Sequence, residues 1–598
     1  MSIRFGAAAI ALAALVAAIL AAAVDRLAPA PSADVRRGGE TAFGSGLHRR
    51  EMVPGHGPQR WTMPQARFVF RDLPAGPAEA EVRVHGHRTA VVVAVDGIVG
   101  GAIDPGRTGL VVPLSPARRG DHVVELTTDG FDAGDGRRLG ALLDAVAVRA
   151  QRPRRPSPRL LLLFAVPAAL VAAAALLAGL PPTVALAAAA EAAIAEALLL
   201  WPQGLLHSPY RTWLAALLGA GALGALVFAR WRERRVPGGG PWAFVAFLSA
   251  FLVQVLAATS PVMVVSDEVF HANNLGRVAS GEWFLTSVTQ HARPFRFPYG
   301  VSFYALLVPL LRLGVDAVAL VRGAAGVSGL AASLGLFALL APTGAARAGL
   351  AVLLLQLLPG AFDPYSFGNL SNVFGQAMTT LFFCWWAGRA PGGWPAGAAL
   401  VAIACLGHFS SLVVVVVLLV ALLVVRRPGP GPARTLAAGA GLAAAALYYA
   451  RFIPLVLGQL PRLLEGGGQG RGASRGGLDA LRLHLGGILS QWGLPVLALA
   501  TIGRPRPRQS GTTLDRDLAA YWFAGAALAV PAILSPLDVR FLYALTVPLA
   551  AAGGAGLVRL QERGRAGAFA AWLLFAGQAI WGLRGIVEAV VFRYRPLL

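Results

Sequence analysis

The sequence predicts an α-helical membrane protein with many transmembrane helices and one β-sandwich domain near its N-terminus. The 598 residues are 56% hydrophobic and only 14% charged, whereas about a quarter of the residues in soluble domains are charged. Apolar stretches long enough to cross a bilayer as a helix, about 20 residues, recur along the chain. Residues 30–155 differ from the rest, because charged and turn-forming residues there interrupt short segments of alternating hydrophobicity.

Hydropathy predicts about 13 transmembrane helices. We expect a first transmembrane helix in residues 1–24, the β domain in 25–158, additional transmembrane helices in 159–240 and a larger transmembrane region in 241–598. Residues 300–341 must contain an odd number of crossings if the loops on either side are to lie on their expected faces. The clearest apolar spans are residues 5–23, 160–180, 183–200, 242–259, 411–425 and 567–583.

The arginine residues predict how the chain is oriented. All 52 basic residues are arginine, and their strongest clusters lie in short loops beside apolar spans, which is typical of the cytoplasmic side. This pattern puts the N-terminus in the cytoplasm, and it puts both the β domain and the loop 260–300 outside. The first apolar stretch has no clean cleavage site after Val24, so we expect it to remain as a transmembrane helix. The net charge of +22 then reflects orientation and does not indicate a nucleic-acid partner.

Several short strands are predicted in the β domain. Phe68 and Phe70 alternate with arginines, and the apolar residues of the stretch 91–95 lead to Asp96-Gly97, a signal for a tight hairpin turn. Strands at this spacing favour a β-sandwich, and the segment is long enough for one hydrophobic core.

A polar segment after the span 242–259 carries the residues best suited to chemistry. It begins Ser266-Asp267-Glu268 and reaches His271, which lies on the same helical face as Asp267 and is predicted to bind substrate there. Adjacent carboxylates diverge by about 100° on a helix, so only one can point at a given reacting atom. A carboxylate here could act as a general base on a hydroxyl or hold a divalent metal. The alternative is an amphipathic helix at the membrane interface whose charges are solvated.

The loop that opens with Asp267-Glu268 and closes with Pro298-Tyr299-Gly300 resembles a loop of the GT-C superfamily. These are membrane glycosyltransferases that use sugars linked to polyprenyl phosphate. The resemblance covers roughly residues 240–560. It implies that Asp267 is the catalytic carboxylate, or the ligand of a divalent metal, with Glu268 its neighbour. Here a β domain and four spans precede the loop, which in a typical member follows the first span, so the subfamily stays open.

The same resemblance suggests roles for polar residues elsewhere in the chain. Arg540 and Arg451 could grip the lipid phosphate in bidentate fashion, or they could snorkel to lipid head groups. Asn369 and Asn372 could bind sugar hydroxyls or cap a helix. His408 interrupts an apolar stretch on the same side, where it could contact substrate or be a hydrogen-bonded interior residue.

The β domain resembles the jelly-roll segment near the start of some bacterial membrane glycosyltransferases. The resemblance rests on Arg60-Trp61-Thr62 before a strand and on Arg138-Leu139-Gly140 before the last strand. It implies that Trp61 could stack on a sugar face. A single tryptophan is more often a core or edge anchor, which is the alternative.

These features predict a glycosyltransferase of the bacterial cytoplasmic membrane. It would move a sugar from a polyprenyl-phosphate donor to an extracytoplasmic glycan, lipid or protein, with inversion expected from the resemblance. One alternative is a transporter or flippase of lipid-linked glycans that uses Glu191, Glu196 and arginines as a polar path. Another is a non-catalytic scaffold for envelope assembly. The ionisable residues concentrate at one membrane face, which favours the enzyme.

Overall fold

A computed structural model of the protein divides the chain into two compact units. Unit 1 comprises Met1–Arg230, Ser260–Val264 and Val587–Leu598, and unit 2 comprises Trp231–Thr259 and Val265–Ile586. The structure describes residues 3–36, 38–53, 57–73, 77–115, 120–134, 136–150, 156–201, 204–263, 265, 267–288, 296–366, 368–388, 392–425, 431–465, 486–487, 489–505, 512–534 and 538–592.

Unit 1 carries the N-terminal β domain. Its strands are β1 (Ser32–Asp34), β2 (Gly44–Val53), β3 (Gly57–Phe70), β4 (Ala78–His85), β5 (Val91–Val95), β6 (Ile98–Ile103), β7 (Gly109–Leu114), β8 (His122–Thr127), β9 (Phe131–Asp132), β10 (Arg138–Leu139) and β11 (Leu142–Ala150). Among the described residues, nine strands form one sheet in the order β6-β5-β8-β3-β11-β4-β7, with β1 paired to β11 and β2 to β3. Strands β9 and β10 form a separate antiparallel pair.

The interior of the β domain follows the alternation that the sequence predicts. Phe68 and Phe70 on β3 are completely buried, because every second residue of a strand faces the same side of the sheet. Asp96-Gly97 joins β5 to β6 as predicted. Their φ angles of 51° and 80° are the left-handed values that a tight hairpin turn requires.

The two end strands of the sheet, β6 and β7, lie against each other. A Cβ built on Gly100 of β6 would lie 2.4 Å from a side-chain carbon of Val112 on β7. The hydrogen bonds of the described strands therefore link nine strands into one continuous sheet, and the two end strands of its path meet.

Unit 1 also contains a bundle of long helices. They are α1 (Ile3–Leu27), α3 (Pro158–Leu177), α4 (Pro182–Leu200) and α5 (Tyr210–Glu233), and the short helix α2 (Glu40–Phe43) belongs to the β domain. Helix α1 packs against α3 and α4, and its Ala13, Ala17 and Ala21 are buried at four-residue spacing. Small residues at this spacing let the backbones of membrane helices approach closely.

Buried charges join the β domain to the helices within unit 1. Arg211 of α5 is completely buried, forms an ion pair with Asp72 of the β domain and donates a hydrogen bond to the carbonyl of Leu206 at 2.9 Å. His207 lies 3.5 Å from the carboxylate of Asp25 at the end of α1. Arg159 forms ion pairs with Asp121 at 3.3 Å and with Asp72 at 3.9 Å, and Arg71 pairs with Asp121 at 3.8 Å. We call these connected residues the junction network; they are Asp25, Arg71, Asp72, Asp121, Arg159, His207 and Arg211.

The described residues of unit 2 form helices and one short hairpin. The hairpin strands are β12 (Thr286–Val288) and β13 (Arg296–Pro298), and a π-helical turn (Phe251–Ala257) follows the first helix. The helices are α6 (Gly240–Ala250), α7 (Glu268–Ala279), α8 (Ser302–Ala305), α9 (Val308–Arg312), α10 (Ala317–Leu340), α11 (Ala345–Gln356), α12 (Pro359–Ser366), α13 (Leu370–Ala387), α14 (Gly393–Gly407), α15 (Phe409–Val425), α16 (Pro432–Ala450), α17 (Ile453–Glu465), α18 (Leu494–Gly503), α19 (Thr513–Leu534), α20 (Asp538–Gln561) and α21 (Arg565–Val587).

Eight helices of the described chain are long and apolar enough to cross a membrane, and two bent helix pairs bring the number to as many as ten. The chain is thus an α-helical membrane protein with an N-terminal β-sheet domain. The bent pairs are α11 with α12, at 41°, and α16 with the first part of α17, at 58°. The eight helices are Phe5–Leu27, Pro158–Leu177, Pro182–Leu200, Tyr210–Glu233, Gly240–Ala257, Ala317–Thr343, Tyr543–Gln561 and Arg565–Val590.

The segment 300–341, which is long for one crossing, contains a single helix of membrane-spanning length. The short helices α8 and α9 come first, and α10 then forms the candidate span. Asp316 is the N-cap residue of α10: its side chain accepts a hydrogen bond from the backbone N–H of Ala319 at 2.9 Å.

Candidate active site

The predicted acidic pair lies at the start of α7. Asp267 occupies the N-cap position, yet its side chain makes no capping hydrogen bond. Gly368 packs directly against it: a Cβ built on Gly368 would lie 2.3 Å from the Asp267 nitrogen, and Gly368 has a φ of +74°. Both the close approach and the positive φ require glycine at position 368. The fold therefore positions Asp267 through its backbone.

Arg322 of α10 holds the second carboxylate of the pair. Its Nη1 donates to Oε2 of Glu268 at 3.2 Å, and its Nε and Nη2 donate to the Ala258 carbonyl at 3.3 and 3.0 Å. Ala258 ends the π-helical turn, where carbonyls lack helical partners. The Arg322 side chain is 10% exposed and the Glu268 side chain 29%. Glu268 is thus a charge-paired residue at the edge of the protein interior.

His271 links α7 to two other parts of unit 2. It is 1% exposed, and its Nε2 and Nδ1 lie 2.7 Å from the Gly368 carbonyl and from the Tyr304 hydroxyl, respectively. A carbonyl can only accept, so Nε2 carries the proton and Nδ1 accepts from Tyr304. Burial lowers the pKa of His271 from 6.5 to about 4, against a smaller opposing effect of the hydrogen bond to Gly368. His271 is therefore neutral at physiological pH.

A second polar cluster lies where α13, α15 and the segment before α8 meet. The hydroxyls of Tyr299 and Ser371 are 2.9 Å apart. Ser410 donates a hydrogen bond to Oδ1 of Asn372 at 2.7 Å, and its hydroxyl lies 2.8 Å from Nδ1 of His408. Asn372 is 1% exposed, and its Nδ2 has no hydrogen-bond partner among the described residues.

Aromatic contacts connect the two clusters. The Tyr299 ring lies 6.5 Å from the Tyr304 ring and meets His408 edge-on at 5.5 Å. Because the proton of His271 is on Nε2, Nδ1 can only accept, and the Tyr304 hydroxyl is therefore the donor in this pair. Burial raises the pKa of Tyr304 well above 10, which keeps that hydroxyl protonated. The structure thus brings Asp267, Glu268, His271, Asn372 and His408 into one connected region of unit 2.

Arg451, a predicted phosphate ligand, is exposed at the surface of unit 2. Its guanidinium lies over the Phe284 ring, 5.5 Å from the centroid. Phe284 stacks on Tyr448, whose hydroxyl donates to the Tyr299 carbonyl at 2.8 Å. Arg451 is therefore joined to the Tyr299 cluster through two aromatic rings.

The other predicted site residues have different positions. Asn369 is the N-cap of α13, and its side chain makes no capping hydrogen bond. The backbone of Arg540 belongs to α20, whereas its side chain lies outside the described part of the structure. Trp61 belongs to unit 1, where its ring meets Phe131 edge-on at 5.5 Å and lies beside Gly86. These contacts are those of an edge anchor.

The glutamates considered for a polar path lie on α4 of unit 1. Glu191 is exposed, and Glu196 is completely buried. Neither carboxylate oxygen of Glu196 has a hydrogen-bond partner within the described ranges.

Sequence reasoning missed Arg322, Tyr304, Ser371 and Ser410. Arg322 carried a usable signal, because a charged residue inside an apolar helix is a functional candidate by default. Tyr304 carried none, since it is a tyrosine in a largely apolar stretch, and the serines carried only the weak signal of polar neighbours, Asn372 beside Ser371 and Ser411 beside Ser410. Only their contacts mark them as members of the site.

The donor set for a metal is small. Within the part of the chain that is described, no group of three or more His, Cys, Asp or Glu side chains could hold a metal ion. Arg322 already pairs with Glu268, so Asp267 would supply one protein ligand to a divalent cation.

Comparisons with known proteins do not assign the chain to a family. No protein-family model matches it, and no curated protein matches it. One similar solved structure is an exo-β-1,3-galactanase from Phanerochaete chrysosporium with β-1,3-galactotriose, at 16% identity and a TM-score of 0.14, covering 20% of this chain and 29% of that one. The chain spans less than a third of that protein, and so poor a superposition supports no conclusion about fold or function.

Proposed function

We propose that the protein is a membrane glycosyltransferase that moves a sugar from a polyprenyl-phosphate donor to a hydroxyl of an extracytoplasmic acceptor. The observation that carries the proposal is the position of the acidic pair at the start of α7: Arg322 pairs with Glu268, and the backbone of Asp267 lies directly against Gly368. A carboxylate that the fold fixes in place through its backbone is suited to accept a proton from a bound hydroxyl.

In this proposal Asp267 is the general base. It takes the proton of the acceptor hydroxyl as the acceptor oxygen bonds to the anomeric carbon. The bond from that carbon to the phosphate oxygen breaks, and polyprenyl phosphate leaves with the electron pair. Attack opposite the leaving group inverts the anomeric centre. Holding the two substrates in this geometry supplies much of the acceleration.

Glu268 and His271 act as positioning residues in this proposal. The ion pair with Arg322 orients Glu268 and ties the start of α7 to α10. His271 was predicted to bind substrate, but it is buried with both ring nitrogens engaged, so we assign it to holding α7 against Gly368 and Tyr304. Asn372 keeps its predicted role of binding a sugar hydroxyl, which requires its buried Nδ2, a donor without a hydrogen-bond partner among the described residues, to become accessible when substrate binds.

The remaining parts of the proposal concern the lipid and the membrane. Arg451, and Arg540 as predicted from sequence, would meet the donor phosphate, since guanidinium groups bind phosphate in bidentate fashion. About 13 spans would result if the eight candidate spans, the two bent pairs and the three shorter apolar helices all cross. We place the β domain, proposed to be jelly-roll-like, and the Asp267 loop outside the bacterial cytoplasmic membrane.

The test uses membranes that contain single variants. Asp267→Asn should reduce transfer from a radiolabelled polyprenyl-phosphate sugar by at least about 100-fold, the usual contribution of a general base. Glu268→Gln should reduce it less. Asp316→Asn is the matched control, because Asp316 is also an acidic N-cap residue of unit 2, and asparagine caps equally well. Wild-type transfer in both Asp267→Asn and Glu268→Gln would refute the proposal.

A further inference from the structure

The β domain has a cleft on the outer face of β4, β7 and β11. Its volume is about 270 Å³, slightly below the roughly 300–1,000 Å³ of sites for drug-sized ligands. Such a cleft suits a ligand of one or two rings. It lies entirely within unit 1 and includes none of the residues proposed for sugar transfer. Its lining residues are Glu81, Arg83, Val84, His85, Thr108, Gly109, Leu110, Val111 and Asp144.

The local sequence explains why a depression forms around Arg83. Alternation along β4 points Arg83 outward while Val82 and Val84 are buried. Its register partners are Gly109 on β7 and Ala145 on β11, so small residues flank it on both sides. A Cβ built on Gly109 would lie 3.6 Å from the Arg83 side chain. Larger side chains at these positions would fill the depression.

A strand irregularity brings a second carboxylate to the cleft. The pairing of β11 with β4 shifts register between Leu143 and Ala145, so Asp144 is an extra residue on β11. A bulge of this kind re-aims a side chain, and bulges are frequent beside binding sites. Asp144 lies 3.8 Å from Arg83 through its carboxylate, as does Glu81.

The charges around the cleft are nearly balanced. Arg83, 48% exposed, lies between the carboxylates of Glu81 and Asp144. Arg149 also pairs with Glu81 at 2.7 Å, and Arg36 with Asp144 at 3.5 Å. The arginines repel a metal ion, and the carboxylates repel an anion. A neutral ligand avoids both repulsions and can still use the charged groups as strong hydrogen-bond donors and acceptors.

We propose that this cleft binds a neutral sugar ring. Vicinal hydroxyls of a sugar can each donate to a carboxylate and accept from a guanidinium or imidazole, which is the mixture that Glu81, Arg83, His85 and Asp144 present. Val111, which is 55% exposed at the edge, offers an apolar contact for the C–H face of the ring. This binding stands independently of the proposed transfer reaction.

The experiment is saturation-transfer difference NMR on the full-length protein in detergent, with millimolar methyl glycosides of glucose, galactose and mannose as probes. At least one glycoside should bind. Arg83→Gln and Glu81→Gln should each weaken that binding roughly tenfold, about the worth of one charge-assisted hydrogen bond. Arg67→Gln is the matched control, because Arg67 also forms an exposed pair with a glutamate, Glu125 at 3.6 Å, away from the cleft.

Binding that Arg67→Gln retains and both cleft variants weaken would support the proposal. Absence of binding by all three glycosides would overturn it, and so would equal binding by wild type and Arg83→Gln. Methyl phosphate serves as a fourth probe, and binding of this anion without any glycoside would also overturn it. Thermal unfolding of each variant shows whether a loss of glycoside binding comes from misfolding. Glu81→Gln keeps the shape of the side chain and is therefore expected to fold.

Discussion

Two polar networks of this protein, the junction network of unit 1 and the acidic site of unit 2, use similar residues in different ways. In the junction network, Arg211 is completely buried and pairs with Asp72, and neighbouring charges compensate one another. In unit 2, Glu268 has an arginine partner, whereas Asp267 lies at a helix N-terminus without capping it. The first network joins parts of the fold, and the second contains the carboxylate that we propose as the general base.

Buried charge by itself therefore does not identify an active site. A buried ion pair is costly to break and contributes little net stability over an apolar replacement, so it can serve mainly to fix one arrangement of the chain. The junction network has this character, since it ties the β domain to α1, α3 and α5. The stronger functional signal in unit 2 is a carboxylate that the fold holds through its backbone contacts with Gly368.

The largest expected effect is on the junction network. Arg211→Met should destabilise the protein by about 3–5 kcal/mol, because it leaves the buried carboxylate of Asp72 without its main partner. Thermal and chemical unfolding in detergent measure this loss. Adding Asp72→Asn to Arg211→Met should recover part of it, since the unpaired charge is then gone.

The control for this experiment is an exposed ion pair. Arg67 and Glu125 have side chains that are 58% and 45% exposed, so Arg67→Gln should change the free energy of unfolding by less than about 1 kcal/mol. If Arg211→Met were no more harmful than Arg67→Gln, the junction network would not be a structural clamp, and the comparison would fail.

A somewhat smaller effect is expected when His271 of the site is protonated. Its pKa is about 4 in the folded protein and about 6.5 when exposed. Between these values the unfolded chain binds more protons, so stability is complete above about pH 6.5 and falls as the pH decreases towards 4. The loss attributable to His271 is on the order of 3 kcal/mol at pH 4.

His271→Gln tests that window. The variant should lose less stability than wild type when unfolding in detergent is measured at pH 7 and again near pH 4. All other titrating groups are shared by the two proteins and cancel in the difference. Equal losses in both would mean that His271 is not held in its neutral form, and its assigned role of fixing α7 would be wrong.

The smallest effect is expected at Glu196. Glu196→Gln keeps the shape of a completely buried side chain and removes its ability to ionise, so sugar transfer should stay within about twofold of wild type. Glu191→Gln, on the exposed side of the same helix, is the matched control. Uptake of a lipid-linked glycan into proteoliposomes that Glu196→Gln abolishes would instead favour a transporter, because an ionisable residue inside a membrane span would then be essential.

Much of the fold could be predicted from local sequence patterns. The apolar spans 160–180 and 183–200 correspond to helices Pro158–Leu177 and Pro182–Leu200, because helix formation in a membrane follows from length and hydropathy. The strands around Phe68 and Val93 follow the period-two pattern, whose physical cause is the alternation of side chains along a strand. The number of spans could not be predicted in the same way, because it depends on where helices bend or break, and the packing of the helices determines those positions.

Less of the candidate site could be predicted. Asp267 and Glu268 were identified because two adjacent carboxylates beside a span are conspicuous. The sequence did not show that Glu268 is paired with an arginine, since that partner, Arg322, is 54 residues away on α10. The same holds for the hydrogen bond of His271, whose acceptor is a carbonyl 97 residues away.

Local sequence is enough to identify the segments that are apolar enough for a membrane, those that alternate as strands and those where acidic residues concentrate, because these properties depend on neighbours along the chain. Three contacts of the site became visible only in the folded chain: Arg322 pairs with Glu268, Gly368 lies against Asp267, and Asn372 accepts a hydrogen bond from Ser410. Hydrogen bonds and ion pairs depend on distances of a few ångströms between remote segments, and those distances exist only after the helices have packed.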